Sequence, residues 1–167
     1  YAKIWMSRRK RLRRNWRRSA AIMTGKEISL SEEADMEYTH VFHTFEPVYD
    51  ASSQVLILGS FPSVRSREEG FYYGHPRNRF WKVTAGICRE SVPVTIPEKR
   101  DFLLRNHIAV WDVIAECEIL GSSDSSIRKV RENDMSVILE KAAVREIFAN
   151  GETAYRLFLK YCRKEDQ

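Results

Sequence analysis

The chain has 167 residues, 43% of them apolar, and a formal net charge of +5, which suits one domain with a modest core and gives no reason for a second. The positive balance sits at one end. Lys3 and the eight basic residues between Arg8 and Arg18 take nine of the 28 Lys and Arg, so the remainder holds fewer basic than acidic side chains and its charge is no argument for nucleic-acid binding.

Residues 1–38 run from basic to acidic and bury nothing, so they are expected to be a disordered N-terminal segment ahead of a domain over 39–167. The basic run reads either as a non-specific DNA-binding arm or, preferably, as translated sequence upstream of a start at Met23 or Met36. Thr39 to Asp50 alternates enough to predict an extended lead-in packed beside the first strand. His40 and His43 have the spacing of metal ligands, but with no third ligand nearby they read as structural or solvent-facing.

Val55-Leu56-Ile57-Leu58 is an unbroken apolar run ended by Gly59-Ser60, the pattern of a strand covered on both faces in a parallel sheet. The C-terminal ends of such strands face a ligand crevice. Gly59-Ser60-Phe61-Pro62-Ser63 predicts a loop that approaches a bound group closely and offers it backbone N–H groups. Gly70-Phe71-Tyr72-Tyr73-Gly74-His75-Pro76-Arg77-Asn78-Arg79-Phe80-Trp81 then leads into a helix from Asn78 to Cys88, with Phe80, Trp81, Val83, Thr84 and Ile87 expected inward. On residue type alone Asn78 is a helix cap, and His75 before Pro76 either fixes the loop or contacts substrate.

Pro97 suits the start of a helix reaching Asn106 with Phe102, Leu103 and Leu104 apolar. Ile108 to Ile114 is the second buried strand, and strand-helix-strand implies a right-handed parallel crossover. Asp112 ends that strand as either a turn former or a ligand contact. Gly121 to Ile127 predicts a Ser/Asp loop, Asn133 or Asp134 caps a helix with Val137, Ile138 and Leu139 inside, and residues 145–149 form the third strand. Asn150-Gly151 turns into a last helix, Glu152 to Cys162, with Ala154, Leu157, Phe158 and Tyr161 on one stripe.

Cys88, Cys117 and Cys162 are well separated and make no C-x-x-C pair. This argues against a zinc ribbon, an iron–sulfur cluster or a disulfide framework and points to a reducing, cytoplasmic setting. No run approaches the roughly 18 apolar residues of a membrane span, and the basic N-terminus lacks the apolar segment of a signal peptide.

Together, the G-S-F-P-S loop and H-P-R-N-x-F-W resemble the hypoxanthine-DNA (deoxyinosine) glycosylases of the uracil-DNA glycosylase superfamily, with a looser likeness over roughly residues 40 to 160. The resemblance implies a three-layer α/β/α sandwich around a parallel sheet. It also implies a DNA repair glycosylase that hydrolyses the N-glycosidic bond of a deaminated base, acting as a monomer on DNA with no cofactor. Many superfamily members keep a catalytic Asn or Asp where this chain has Phe61, which moves the catalytic amide to Asn78.

Around Asn78 the resemblance implies a substrate pocket of Gly59, Ser60, Phe61, Tyr73, His75, Asp112 and Ser125, the last from a D-S-S-I run these glycosylases share. Superfamily members add a fourth strand and a Ser-Pro loop after the last helix. Arg163 to Gln167 supplies neither, so the domain reads as C-terminally truncated. Two other readings stay open: an inactive, truncated DNA-binding remnant, and a small nucleotide-binding α/β module. The second is weakened because Gly59 to Ser66 lacks the spacing of a phosphate-binding P-loop.

Overall fold

The computed structural model describes residues 37–121 and 123–162; the expectations for the basic run, for Met23 and Met36, and for Arg163 to Gln167 fall outside them. Its elements are β1 (Tyr38–Phe42), β2 (Val55–Gly59), α1 (Val64–Glu69), α2 (Phe80–Cys88), α3 (Ile96–Arg105), β3 (Ile108–Asp112), β4 (Ile114–Leu120), a 3-10 turn (Asp124–Ser126), β5 (Arg128–Glu132), α4 (Ser136–Leu139), β6 (Glu146–Ala149), α5 (Glu152–Leu157) and a π-helical turn (Phe158–Cys162).

The unbroken apolar run becomes the central strand of a parallel sheet ordered β3-β2-β6. Val55 pairs with Ile108 on one side and Glu146 on the other, and the register runs on to Gly59 opposite Asp112. A strand flanked on both sides has its backbone groups satisfied by its neighbours, and apolar side chains then cover its faces. Leu56, Leu58, Ala109 and Val110 are fully buried, and each Leu or Val so buried contributes on the order of 1.5–3 kcal/mol. This is the α/β class with the parallel sheet that the sequence predicts.

A second sheet, antiparallel and ordered β1-β4-β5, corrects the expected lead-in. Tyr38–Phe42 pairs with Leu120–Glu116 and not beside β2. Only Val48 joins the parallel sheet, through a bridge to Val110 on β3. The chain crosses between sheets at Val113: the N–H groups of Val113 and Ile114 donate to the carbonyls of Gly59 and Ser60. Asn133 Nδ2 ties the corner by donating to the carbonyls of Asp112 at 2.9 Å and Ile114 at 3.2 Å.

Local chemistry sets the helix starts. Thr95 caps α3 in a reciprocal box with Glu98, with Pro97 in its first turn. Ser63 Oγ accepts the Ser66 N–H to begin α1, a helix the sequence pattern leaves unassigned, and Gly70 ends it at φ +66°. Asn78 Oδ1 accepts the Phe80 N–H at 2.9 Å at the start of α2. That helix buries Phe80, Trp81, Thr84 and Ala85, whereas Val83 and Ile87 are exposed, contrary to expectation. At 100° per residue those two lie roughly a quarter turn or more from the centre of the buried stripe. Leu139 is likewise exposed, and Ile138 alone of its helix is fully buried. No helix among the described residues is long and apolar enough to cross a membrane.

Candidate active site

The carboxyl ends of all three parallel strands converge on one pocket of about 240 Å³. β2 supplies the Gly59 to Ser63 loop, β3 supplies Asp112, and β6 supplies Asn150; Tyr72, Tyr73 and Asn78 enter from the segment between α1 and α2, and Asp124 from the 3-10 turn. Convergence at strand ends is where open parallel sheets hold ligands. The volume lies below the roughly 300–1,000 Å³ of drug-sized sites, so it suits a single ring system better than a dinucleotide.

Of the residues expected in the site, Gly59, Ser60, Phe61, Tyr73, Asn78 and Asp112 all line this pocket. His75 and Ser125 do not. His75 is exposed and its Nδ1 accepts the Arg77 N–H at 3.2 Å, a loop-fixing bond. Ser125, also exposed, bonds Ser123 at 2.7 Å while its neighbour Asp124 turns to the pocket.

Tyr73 is held at φ +53°, a left-handed conformation that is uncommon for a bulky residue and persists only where its surroundings impose it. Its ring stacks on Phe80 with centroids 3.9 Å apart. Its hydroxyl is buried beside Asn150 without a fully formed hydrogen bond. Burial, and secondarily the charge of Asp112, pushes both the Tyr72 and Tyr73 hydroxyls well above the ordinary phenol range, so both rings stay neutral. The Tyr72 hydroxyl donates to the Glu46 carbonyl at 3.0 Å.

Asp112 is only 4% exposed, and its Oδ2 lies 2.9 Å from His43 Nε2. The Gly59 backbone passes so close beneath that a Cβ there would lie 2.1 Å from Asp112 Oδ1; the glycine is required by this approach, not by its φ. Burial raises the Asp124 carboxyl above its usual range, a Ser60 hydrogen bond opposes this, and nearby Asp112 adds to it. Neither the Ser60 nor the Phe61 N–H is taken up by a backbone partner among the described residues. Phe61 itself is buried, with the Arg67 guanidinium 5.5 Å from its ring centre.

Sequence reasoning missed Ser66, Tyr72, Asp124 and Asn150 as pocket residues, and His43 as the partner of Asp112. The strand-end rule that singled out Asp112 also applies to Asn150 after β6. Nothing local marks His43, which is 69 positions from its partner.

Residues 46–166 match the Uracil DNA glycosylase superfamily. A protein of Methanosarcina barkeri named Hypoxanthine DNA glycosylase is 33% identical over 110 residues, covering 65% of this chain and 70% of that one. A protein of Methanosarcina acetivorans with the same name is 37% identical over 112 residues, covering 66% and 71%. A solution NMR structure from M. acetivorans, described as a candidate uracil DNA glycosylase, superposes with a TM-score of 0.61 at 34% identity, covering 70% of this chain and 77% of that one. With the pocket at the carboxyl ends of its parallel strands, the chain belongs to the uracil DNA glycosylase superfamily and is a DNA glycosylase hydrolase.

Proposed function

We propose that the protein removes deaminated bases from DNA, hypoxanthine in preference to uracil, and so begins base excision repair as a monomer without a cofactor. The observation that carries this is the meeting of the Gly59 loop, Tyr73, Asn78 and Asp112 in one base-sized pocket, on a chain whose relatives bear the name Hypoxanthine DNA glycosylase.

The glycosidic bond is out of reach inside a duplex, so the nucleotide must be rotated out and held. Tyr73, backed by Phe80, offers the ring face turned away from that support for stacking, an interaction worth about 1–3 kcal/mol per base. As the C1′–N bond breaks, its electron pair moves onto the base while the sugar becomes oxocarbenium-like. Donors aimed at the departing base stabilise that charge, a role suited to the Ser60 and Phe61 N–H groups. Water then adds its oxygen at C1′ and gives up a proton, and the departing base, which holds the bond's electron pair, takes up a proton to leave neutral. One Asn78 Oδ1 lone pair is used on the Phe80 N–H, leaving a second lone pair and the amide NH₂ to orient water or contact the base. Asp112 accepts from a ring N–H.

Labelled duplexes containing one deoxyinosine, one deoxyuridine or no lesion, cleaved with alkali after incubation, test this. Strand breakage at deoxyinosine, slower breakage at deoxyuridine, none in the undamaged duplex, and no effect of EDTA are expected. An intact deoxyinosine strand, or breakage abolished by EDTA, refutes the reading.

A further inference from the structure

We propose that His43 is a positioning residue that locks Asp112 as an acceptor-only reader, so that the pocket selects bases by the ring proton that deamination creates. This rests on the functional reading above and extends it to how the lesion is told from the base it was formed from. Deamination turns the N1 lone pair of adenine into the N1–H of hypoxanthine, and the N3 lone pair of cytosine into the N3–H of uracil. A fixed acceptor therefore attracts both deaminated bases and repels both parents.

Both partners are almost fully enclosed, with side chains 4% and 5% exposed at a separation of 2.9 Å. Burying a carboxylate is costly unless it is paired, and the His43 N–H supplies that pairing at Oδ2. The imidazole is itself held among Phe45, Tyr72 and Phe61, with ring centres 4.5, 6.0 and 6.4 Å away. Asn133 holds the Asp112 main chain. The other oxygen, Oδ1, which takes no hydrogen bond from the described residues, lies over Gly59, and Asp112 lines the pocket. His43 does not line it and acts only through Asp112. A carboxylate whose second oxygen is occupied and whose backbone is clamped has little freedom to turn, and it has no N–H of its own to offer a lone pair.

The test compares single-turnover excision of hypoxanthine with that of 1-deazahypoxanthine, in which the ring N–H is replaced by C–H, from otherwise identical duplexes. A site built to hydrogen-bond an N–H rejects the analogue lacking it strongly, so a wild-type ratio of at least about 10² is expected. His43→Phe should bring the ratio below about ten, and His43→Gln, whose amide can still donate, should largely restore it. A merely structural role slows both substrates alike and leaves the ratio unchanged, which overturns the proposal. Should His43→Phe fail to fold, Asp112→Asn keeps an acceptor for His43 while presenting an NH₂, and an unchanged ratio there overturns it equally. If wild type excises deoxyinosine with a ratio near one, only this inference fails. If it excises no deoxyinosine, the functional reading fails and takes the inference with it.

Discussion

Replacing Gly59 by Ala probes the site through a single methyl group. Gly59 is not among the glycines with positive φ, so its backbone can accept alanine. The obstacle is steric: the new Cβ would meet Asp112 Oδ1 at 2.1 Å and Cγ at 3.3 Å, while Tyr73 Oη at 3.4 Å is an ordinary contact. A free aspartate would swing aside cheaply, but this one is hydrogen-bonded to His43. Losing a hydrogen bond to a charged group costs about 1.5–3 kcal/mol, and alanine in place of glycine returns about 0.5–1 kcal/mol in a strand. The net cost is about 0.5–2.5 kcal/mol. At roughly 2–4 °C per kcal/mol for a chain of this size, Tm falls by about 1–10 °C. Excision should fall by about 10²-fold because the carboxyl has left its place. In an Asp112→Ala background the clash partner is gone, so Gly59→Ala should be neutral or slightly stabilising, a coupling of about 1–3 kcal/mol. Thermal melts and single-turnover excision for the four proteins of this cycle decide the matter. An equal cost in both backgrounds, or a Gly59→Ala protein with wild-type Tm and activity, refutes the reasoning.

The Tyr73 hydroxyl is buried without a full hydrogen bond; Tyr73→Phe should therefore leave Tm unchanged or slightly higher and keep most activity, whereas Tyr73→Ala should weaken retention of the extruded base by about 1–3 kcal/mol, as read by binding to an abasic-resistant substrate analogue. Equal losses in both variants would mean the hydroxyl, not the ring, is what matters. The Asp124 carboxyl is raised, first by burial, so its linkage favours folding below the ordinary carboxylate range, near pH 4, and that contribution is lost as pH rises through its folded value. Asp124→Asn should flatten this decline in Tm, and a steeper decline in the variant contradicts the direction of the shift.

The parallel sheet was legible because β2 and β3 are continuous apolar runs, the signature of strands enclosed on both faces. The antiparallel sheet was not. Its strands carry Glu116, Glu118, Arg128, Lys129 and Arg131, which pair across β4 and β5 at 2.7–2.8 Å; along the sequence they look like the charges of a solvated loop. Strand-end logic found Gly59 and Asp112, and carried one strand further it also reaches Asn150. The right segments were chosen for His75 and Ser125, but the loop conformations present Asn78 and Asp124 instead. The His43–Asp112 pair exists only once β1 docks on β4 and the His43 backbone N–H bonds the carbonyl of Ala115, three residues past Asp112.

Asn78 has two duties that one substitution can separate. Its Oδ1 caps α2 through the Phe80 N–H, so Asn78→Ala should cost about 1 kcal/mol of stability as well as catalysis. Asn78→Ser keeps an oxygen able to accept that N–H while removing the amide. The most direct test is single-turnover excision by Asn78→Ser on a deoxyinosine duplex beside its melting curve: Tm within about 2 °C of wild type with excision lower by at least about 10²-fold is the predicted result, and full excision by a folded Asn78→Ser protein contradicts the account.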